Sequence, residues 1–387
     1  MQRRTMLKAF QSLLAITFLF QLALGIVSLS VPIFAAFLGA SPFLIGLIGS
    51  MGGLIYSFMP LILGAISDRF NRKILVSASI LLYVVVCILY SLIKNPVLLL
   101  AVKLLEGISI SAFWPSIESL ITDSSSSSLQ ETVKKFNISW GSAMIIAPLI
   151  GGALISEFST QISFIVSLFM AFIAFIICFV SVKELPIRHK EKTELITTVK
   201  GQKNNLILIV PALMSILLFS SIGGIIMTLF PAYAVYLGIQ AYQIGSITFA
   251  SGLSRMLAFF WAPKLERRMG KNRMFIFSSV IFALASLLTI FSSNAEMFTL
   301  SFLVFGLGSG ISYAAAISAI FEHWKTTRGY AAGLFESLIG IGSFTGPLIG
   351  GAISEYMLNA PYYFSLAASI FVCFAQIVLS QAIKIKD

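Results

Sequence analysis

The sequence has 387 residues, of which 58% are hydrophobic and 11% are charged, with a net charge of +11 and a mean hydropathy of +0.97. Water-soluble globular domains contain about twice this fraction of charged residues, roughly 25%, and fewer apolar ones. The composition therefore excludes a soluble globular protein and indicates a polytopic membrane protein.

Apolar runs along the chain predict the transmembrane helices. A helix needs about 20 apolar residues to cross a hydrocarbon core. Twelve runs qualify, centred near residues 24, 54, 84, 110, 146, 171, 220, 251, 281, 308, 340 and 371. The basic N-terminus, with Arg3 and Arg4, resembles the start of a signal peptide. The apolar run behind it is too long and lacks a convincing cleavage site, so we predict a retained first helix.

The Lys and Arg residues are distributed asymmetrically between the predicted loops. Apart from Lys94, Lys103 and Arg255, they fall in the N-terminus, in every second loop and in the C-terminal tail. Because basic loops stay in the cytoplasm, we predict a multi-pass protein of the cell membrane with both termini cytoplasmic. This topology also explains the positive net charge, so no nucleic-acid partner is expected.

The second half of the sequence repeats the first. A shift of 199 residues superposes Gly25 on Gly224 and Pro32 on Pro231, and it carries the run Pro148–Ala153 onto Pro347–Ala352. Six helices per half is an even number, so the halves are related by an axis along the membrane normal. The predicted domains are residues 1–184 and 206–387, joined by a polar cytoplasmic linker, 185–205.

A short charged segment, Gly64 to Lys73, lies between the second and third predicted helices. It resembles the loop at this place in major facilitator superfamily transporters, except that Asn71 stands where the family has Gly. Asn tolerates a left-handed backbone, so we expect that conformation at Asn71. Together with the repeat, the resemblance implies an all-α fold of twelve transmembrane helices in two pseudo-symmetric six-helix bundles, monomeric and working by alternating access.

The resemblance also implies a cytoplasmic gate. We expect Asp68 to meet the N-terminal end of the eleventh helix near Arg328, and Arg72 to reach Asp123 at the end of the fourth. The predicted gating residues are Gly64, Asp68, Arg69, Asn71, Arg72, Asp123, Arg328, Pro148 and Pro347.

Pro148 and Pro347 each bend a helix, and the glycines beside them let neighbouring helices approach closely. Family exporters carry a related Gly-rich pattern in the fifth span. Here the fuller pattern, Gly342 to Gly350, lies in the eleventh span instead of the fifth. The resemblance therefore favours export only weakly.

The fourth predicted helix has one polar face. At about 100° per residue, Lys103, Glu106, Trp114 and Glu118 fall within roughly a third of its circumference, so this face is expected to line a cavity. The alternative is that Lys103 and Glu106 merely neutralise one another.

We predict that Glu106 carries the coupling proton and that Lys103 sets its proton affinity, because burial disfavours the carboxylate and a nearby cation favours it. Glu336, with Arg255 as its counter-ion, is the competing candidate. A purely structural Arg255–Glu336 pair is a further alternative.

Family geometry implies that spans one, four, seven and ten line the central path. The predicted cavity residues are Gln21, Ser28, Lys103, Glu106, Trp114, Ser221, Thr228, Tyr233, Ser309 and Tyr313. A path lined by aromatic and hydroxyl groups suits an amphipathic or apolar organic solute.

The sequence contains little that points to an enzyme. Its three cysteines are far apart, both histidines fall in predicted loops, and no Walker-type phosphate loop occurs. We therefore predict a non-enzymatic secondary active transporter without a metal or cofactor, which exports a small organic solute coupled to protons or another ion. Two alternatives stay open: an uptake transporter or facilitator of a small metabolite, and a transporter-like sensor or assembly protein without flux.

Overall fold

The computed structural model describes residues 2–67, 71–124, 128–182, 208–324 and 328–384. Its regular structure is entirely α-helical within these ranges. The twelve helices are α1 (Gln2–Phe37), α2 (Pro42–Ser67), α3 (Arg72–Leu92), α4 (Leu98–Ser124), α5 (Leu129–Glu157), α6 (Thr160–Ser181), α7 (Val210–Tyr236), α8 (Ala241–Met269), α9 (Lys271–Phe291), α10 (Ala295–His323), α11 (Arg328–Ser354) and α12 (Ala360–Lys384).

The twelve predicted helices are thus confirmed. Eleven of them are long and apolar enough to cross a membrane, and α8 is the exception. Because successive helices alternate in direction, their ends form two sets. We call the end where α6 finishes and α7 starts the linker end, and the end that holds residues 38–41 and 237–240 the opposite end.

Local sequence explains where several helices begin and end. Ser159 caps α6 by accepting a hydrogen bond from the Ile162 N–H, and Asn294 caps α10 by accepting one from the Met297 N–H. Gly39 and Gly238, which are equivalent in the repeat, follow α1 and α7 with φ of 77° in both cases. A left-handed residue closes the last turn, and glycine adopts it without a steric cost.

The expectation for Asn71 is wrong. Its backbone is extended, with φ −63° and ψ 115°, and its side-chain oxygen accepts a hydrogen bond from the Lys73 N–H. Asn71 therefore caps the start of α3, a role that its amide oxygen performs well and that glycine has no side chain to perform. The equivalent residue Gly270 has a positive φ of 76° with ψ 163°, a backbone conformation that glycine adopts most readily.

The helices pack in two equivalent sets. In the first half α1 packs against α5 and α6, α2 against α4, and α3 against α4 and α6. In the second half α7 packs against α11, α8 against α10, and α9 against α10 and α12, while α7 contacts α12 less extensively than α1 contacts α6. The pseudo-symmetric arrangement of two six-helix bundles is confirmed. The linker 185–205 lies outside the described residues, so the exact domain boundaries remain predictions.

Two pairs of helices make the most extensive contacts between the halves, and glycine makes both contacts possible. At the α2–α11 interface, Gly46 lies directly against the carbonyl oxygen of Pro347. At the α5–α8 interface, Gly245 lies in the same way against the carbonyl oxygen of Pro148. Neither glycine has room for a Cβ atom. The two prolines that the repeat singles out therefore lie where one half meets the other.

Side chains at the opposite end reinforce both interfaces. The Glu355 Oε1 atom accepts a hydrogen bond of 2.8 Å from the Phe43 N–H at the start of α2. The Ser156 Oγ atom accepts one of 2.9 Å from the Tyr242 N–H at the start of α8. Each half thus caps the first turn of a helix in the other half, where backbone N–H groups lack partners within their own helix.

Candidate functional site

A cavity of about 430 Å³ lies between the two halves. Helices α1, α2, α4, α5, α7, α8 and α11 line it, and most of the lining side chains are apolar. The charged and hydrogen-bonding side chains in the lining are Gln21, Ser28, Lys103, Glu106, Ser220, Thr228, Thr248, Arg255 and Ser343. A largely apolar cavity with a few polar groups is the usual form of a small-molecule site.

A hydrogen-bonded ion pair lies in the wall of this cavity. The Lys103 Nζ atom is 2.8 Å from Glu106 Oε1, and the two residues are one helical turn apart on α4. The Tyr90 hydroxyl, from α3, donates a hydrogen bond of 2.6 Å to the other oxygen, Glu106 Oε2. Glu106 is only 3% exposed and Lys103 is 15% exposed. Both carboxylate oxygens therefore have a donor, as a buried charge requires.

Arg255, on α8, is the other cation in the cavity wall. Its Nε atom donates a hydrogen bond of 2.8 Å to Ser309 Oγ, on α10. Its guanidinium carbon lies 5.6 Å from the centre of the Phe219 ring, within the range of a cation–π contact. These contacts, with α10 and α7, hold the guanidinium group at the cavity surface.

Arg255 and Glu336 do not form the ion pair that the sequence allowed, although both lie in described helices. Glu336 instead accepts a hydrogen bond of 3.1 Å from the Tyr56 hydroxyl across the α2–α11 interface. Its carboxyl group also lies near enough to Glu118 on α4 for the two to interact electrostatically. Tyr56 is the repeat equivalent of Arg255. The partner of Glu336 is thus the Tyr56 hydroxyl and not the Arg255 guanidinium group.

Five predicted cavity residues lie in the cavity lining: Gln21, Ser28, Lys103, Glu106 and Thr228. The other five lie behind it or in contacts between helices. Ser309 is buried and holds Arg255, and the backbone carbonyl of Ser221 lies against Gly346. Trp114, Tyr233 and Tyr313 pack in clusters of aromatic rings. Helix α10 thus contributes to the site through the contact of Ser309 with Arg255.

Several predicted gating residues are only partly described. Asp68 and Arg69 lie outside the described residues. Gly64 lies in the last turn of α2 and Asp123 in the last turn of α4, and Arg72 and Arg328 are the first residues of α3 and α11. The proposed contacts of Asp68 near Arg328, and of Arg72 with Asp123, therefore stay predictions.

Sequence reasoning missed the two tyrosines that bind the carboxylates. Tyr90 precedes Glu106 by 16 positions and lies on a different helix, and Tyr56 and Glu336 lie in different halves. No spacing rule connects such pairs. The one available signal was weak: each is a hydroxyl-bearing aromatic residue within a predicted span.

The fold and the site together define a class of protein. Within the described residues, twelve helices enclose a cavity between two pseudo-symmetric halves, which is the architecture of a multi-pass membrane transport protein. The sequence profile of the Major Facilitator Superfamily matches residues 13–273 and 212–381. The chain belongs to this superfamily, and it is a transporter and not an enzyme.

Similar proteins extend over most of the chain. The sequence is 26% identical over 327 residues to "Multidrug resistance protein MdtG" of Proteus mirabilis, covering 80% of this chain and 78% of that protein. It is 25% identical over 307 residues to "Multidrug resistance protein 1" of Bacillus subtilis, covering 77% of each.

Solved structures of low sequence identity share the fold. The nucleoside transporter NupG superposes with a TM-score of 0.80 at 17% identity, covering 96% of this chain and 98% of that one. The POT family transporter PepTSo superposes with a TM-score of 0.79 at 13% identity, covering 99% of both chains.

Proposed function

We propose that this protein is a secondary active transporter that exports an amphipathic or apolar organic solute by alternating access, and that proton exchange at Glu106 drives it. The observation that carries the proposal is the position of Glu106, which is buried and yet forms part of the cavity wall. A group in this position meets both the solute and the aqueous phase to which the cavity opens.

The largely apolar lining supports the solute class. Export to the outside agrees with the names of the two relatives, each called a multidrug resistance protein. The basic loops support a cytoplasmic linker end. Hydrogen bonds join the halves at the opposite end, which this orientation makes the extracellular end.

The contacts of Glu106 indicate how a proton couples to the solute. While Glu106 is ionised, Lys103 is held against it and the pair is neutral overall. Protonation of Glu106 removes the counter-charge, so Lys103 becomes an unpaired cation at the cavity surface. The solute then meets a differently charged wall in the two protonation states. A solute that prefers one state shifts the proton affinity of Glu106 by the same free energy, which is the requirement for coupling.

The test is transport by the purified protein in proteoliposomes, using solutes selected by a thermal-shift screen. Glu106→Gln fixes a neutral side chain of similar shape. We expect it to abolish accumulation driven by a pH gradient and to preserve solute exchange at equal pH.

The matched control is Glu131→Gln, which removes an exposed carboxylate that is paired with Lys135 on the outside of α5. It should transport like the wild type. If Glu106→Gln still concentrates solute when protons are the only driving force, Glu106 is not the coupling group and Glu336 becomes the candidate. If ligands bind but none is transported, the protein is a sensor.

A further inference from the structure

The two cations in the cavity wall have different surroundings. Lys103 is neutralised by Glu106 at 2.8 Å. Arg255 pairs with no carboxylate among the described residues, and its polar contact is the neutral hydroxyl of Ser309. A charge within a membrane protein that lacks a counter-ion is costly, and such residues commonly mark the path of a charged substrate. The cavity lining therefore carries one positive charge that no carboxylate in the described ranges offsets.

The contacts of Arg255 leave part of its guanidinium group available. Ser309 occupies Nε, and the Phe219 ring lies against the group. Ser309 is itself fixed, because its hydroxyl donates a hydrogen bond of 3.0 Å to the Gly306 carbonyl oxygen on the same helix. A guanidinium group has five N–H donors in a planar fork that matches the two oxygens of a carboxylate. The orientation of this fork is thus set by the protein before a ligand arrives.

The lining of the cavity is otherwise largely apolar, and it includes Phe219 beside Arg255 as well as Met227 and Ile339. This surface suits a hydrocarbon or aromatic body attached to the charged group. We propose that Arg255 binds the anionic group of the solute, so that the cavity selects amphipathic monoanions such as aromatic carboxylates. The inference builds on the proposed function, since it specifies the charge of the transported solute.

The test measures binding without a gradient, in lipid nanodiscs, by isothermal titration calorimetry. The probes are 2-naphthoate and its neutral isostere 2-naphthamide, which differ in charge but hardly in shape. A hydrogen-bonded charge pair of this kind corresponds to about a ten- to hundredfold preference for naphthoate. Arg255→Gln should bring the two affinities together by weakening naphthoate binding, while Arg255→Lys should retain part of the preference.

The matched control is Arg273→Gln, which removes an exposed cation near the start of α9 and should leave both affinities unchanged. Ser309→Ala provides a second test that keeps the charge. Losing the Nε contact should weaken naphthoate binding about fivefold and leave naphthamide binding unaltered, and this variant decides the matter if Arg255→Gln fails to fold.

Three results would overturn the inference: wild-type protein that binds both probes equally, wild-type protein that binds neither, or an Arg255→Gln variant that keeps the preference. The outcome is separable from the proposed function. If the protein shows no proton-driven flux but binds naphthoate in a way that depends on Arg255, the export proposal is refuted and this inference stands.

Discussion

The α2–α11 and α5–α8 interfaces have the same backbone geometry but different polar contacts. Each brings a glycine of one half against a proline carbonyl of the other. At the opposite end, however, the α2 N-terminus is capped by the Glu355 carboxylate and the α8 N-terminus by the Ser156 hydroxyl.

Further along, the α2–α11 interface has a second hydrogen bond between the halves, from Tyr56 to Glu336. The equivalent residues of the α5–α8 interface are Arg255 and Asn137, and they bind Ser309 and Trp140 within their own halves. The comparison teaches that close backbone approach is common to the two interfaces, whereas hydrogen bonds between the halves to a charged side chain occur, among the described residues, at α2–α11 alone. We therefore expect steric changes to act alike on both interfaces and charge changes to act on α2–α11 alone.

The largest effect is expected from adding a methyl group at the glycine contacts. Gly46→Ala and Gly245→Ala each place a Cβ atom against a proline carbonyl, and overpacking of this kind costs about 1–3 kcal/mol. Either change should lower the ratio of closed to open protein at the opposite end by about 5- to 150-fold. Spin labels at Phe158 and Tyr356, which are exposed residues of the two halves, would report this by double electron–electron resonance.

The matched control is Gly141→Ala, because a Cβ atom at this α5 position meets open space. It should give the wild-type distance distribution. A clear difference between Gly46→Ala and Gly245→Ala would contradict the view that the two backbone contacts are equivalent.

These glycines also show how much of the structure can be predicted from the sequence alone. The offset of 199 residues pairs Gly46 with Gly245 and Pro148 with Pro347, and glycine and proline constrain the backbone locally. The number and order of helices followed from apolar length in the same way. The side-chain partners did not follow, since Tyr90 and Glu106, like Tyr56 and Glu336, meet only through the packing of separate helices.

Two of the site expectations depended on local chemistry and had different outcomes. Lys103 and Glu106 are three residues apart on one helix, and their ion pair is present. Asn71 has two common local roles, as a left-handed residue or as a helix cap, and the sequence does not distinguish between them. The position of Asn71 immediately before Arg72, the first residue of α3, decides in favour of the cap.

An intermediate effect is expected from Tyr56→Phe. The variant removes the hydrogen bond to Glu336 and with it about 1 kcal/mol of stabilisation of the α2–α11 interface. In a background without native cysteines, the rate at which a membrane-impermeant thiol reagent labels Ser57→Cys should rise about fivefold.

Tyr363→Phe, at an exposed position on α12, serves as the control and should not change the rate. If the Tyr56→Phe variant is labelled at the same rate as the protein with Tyr56, this hydrogen bond does not hold the halves together.

The smallest effect is a pH dependence confined to one interface. Hydrogen bonds to the Glu355 carboxylate hold its pKa below the ordinary value. The larger effect comes from the Phe43 N–H and the smaller from the Ser41 hydroxyl. The closed form therefore favours the ionised carboxylate. This contribution is fully present above the ordinary Glu pKa of about 4.3 and is lost as the pH falls through the lowered pKa.

Between about pH 6 and pH 3.5, the closed fraction at the opposite end should decrease slightly in the wild type. The same spin-label pair measures it. Glu355→Gln should remove this pH dependence, whereas Ser156→Ala should weaken closure equally at all pH values and leave the dependence in place. A decrease that persists in Glu355→Gln would assign the pH sensitivity to another group.

The composition of α8 has a consequence for the biogenesis of the protein. This helix falls short of the apolar character of the other eleven, and it carries Arg255 at the cavity wall. An arginine at the centre of a span costs about 2.5–3.5 kcal/mol during insertion by the translocon. Inserting α8 on its own is therefore costly, and packing against α10, its most extensive partner, offsets this cost. Because α10 is synthesised after α8, this stabilisation is complete only once α10 has also been inserted.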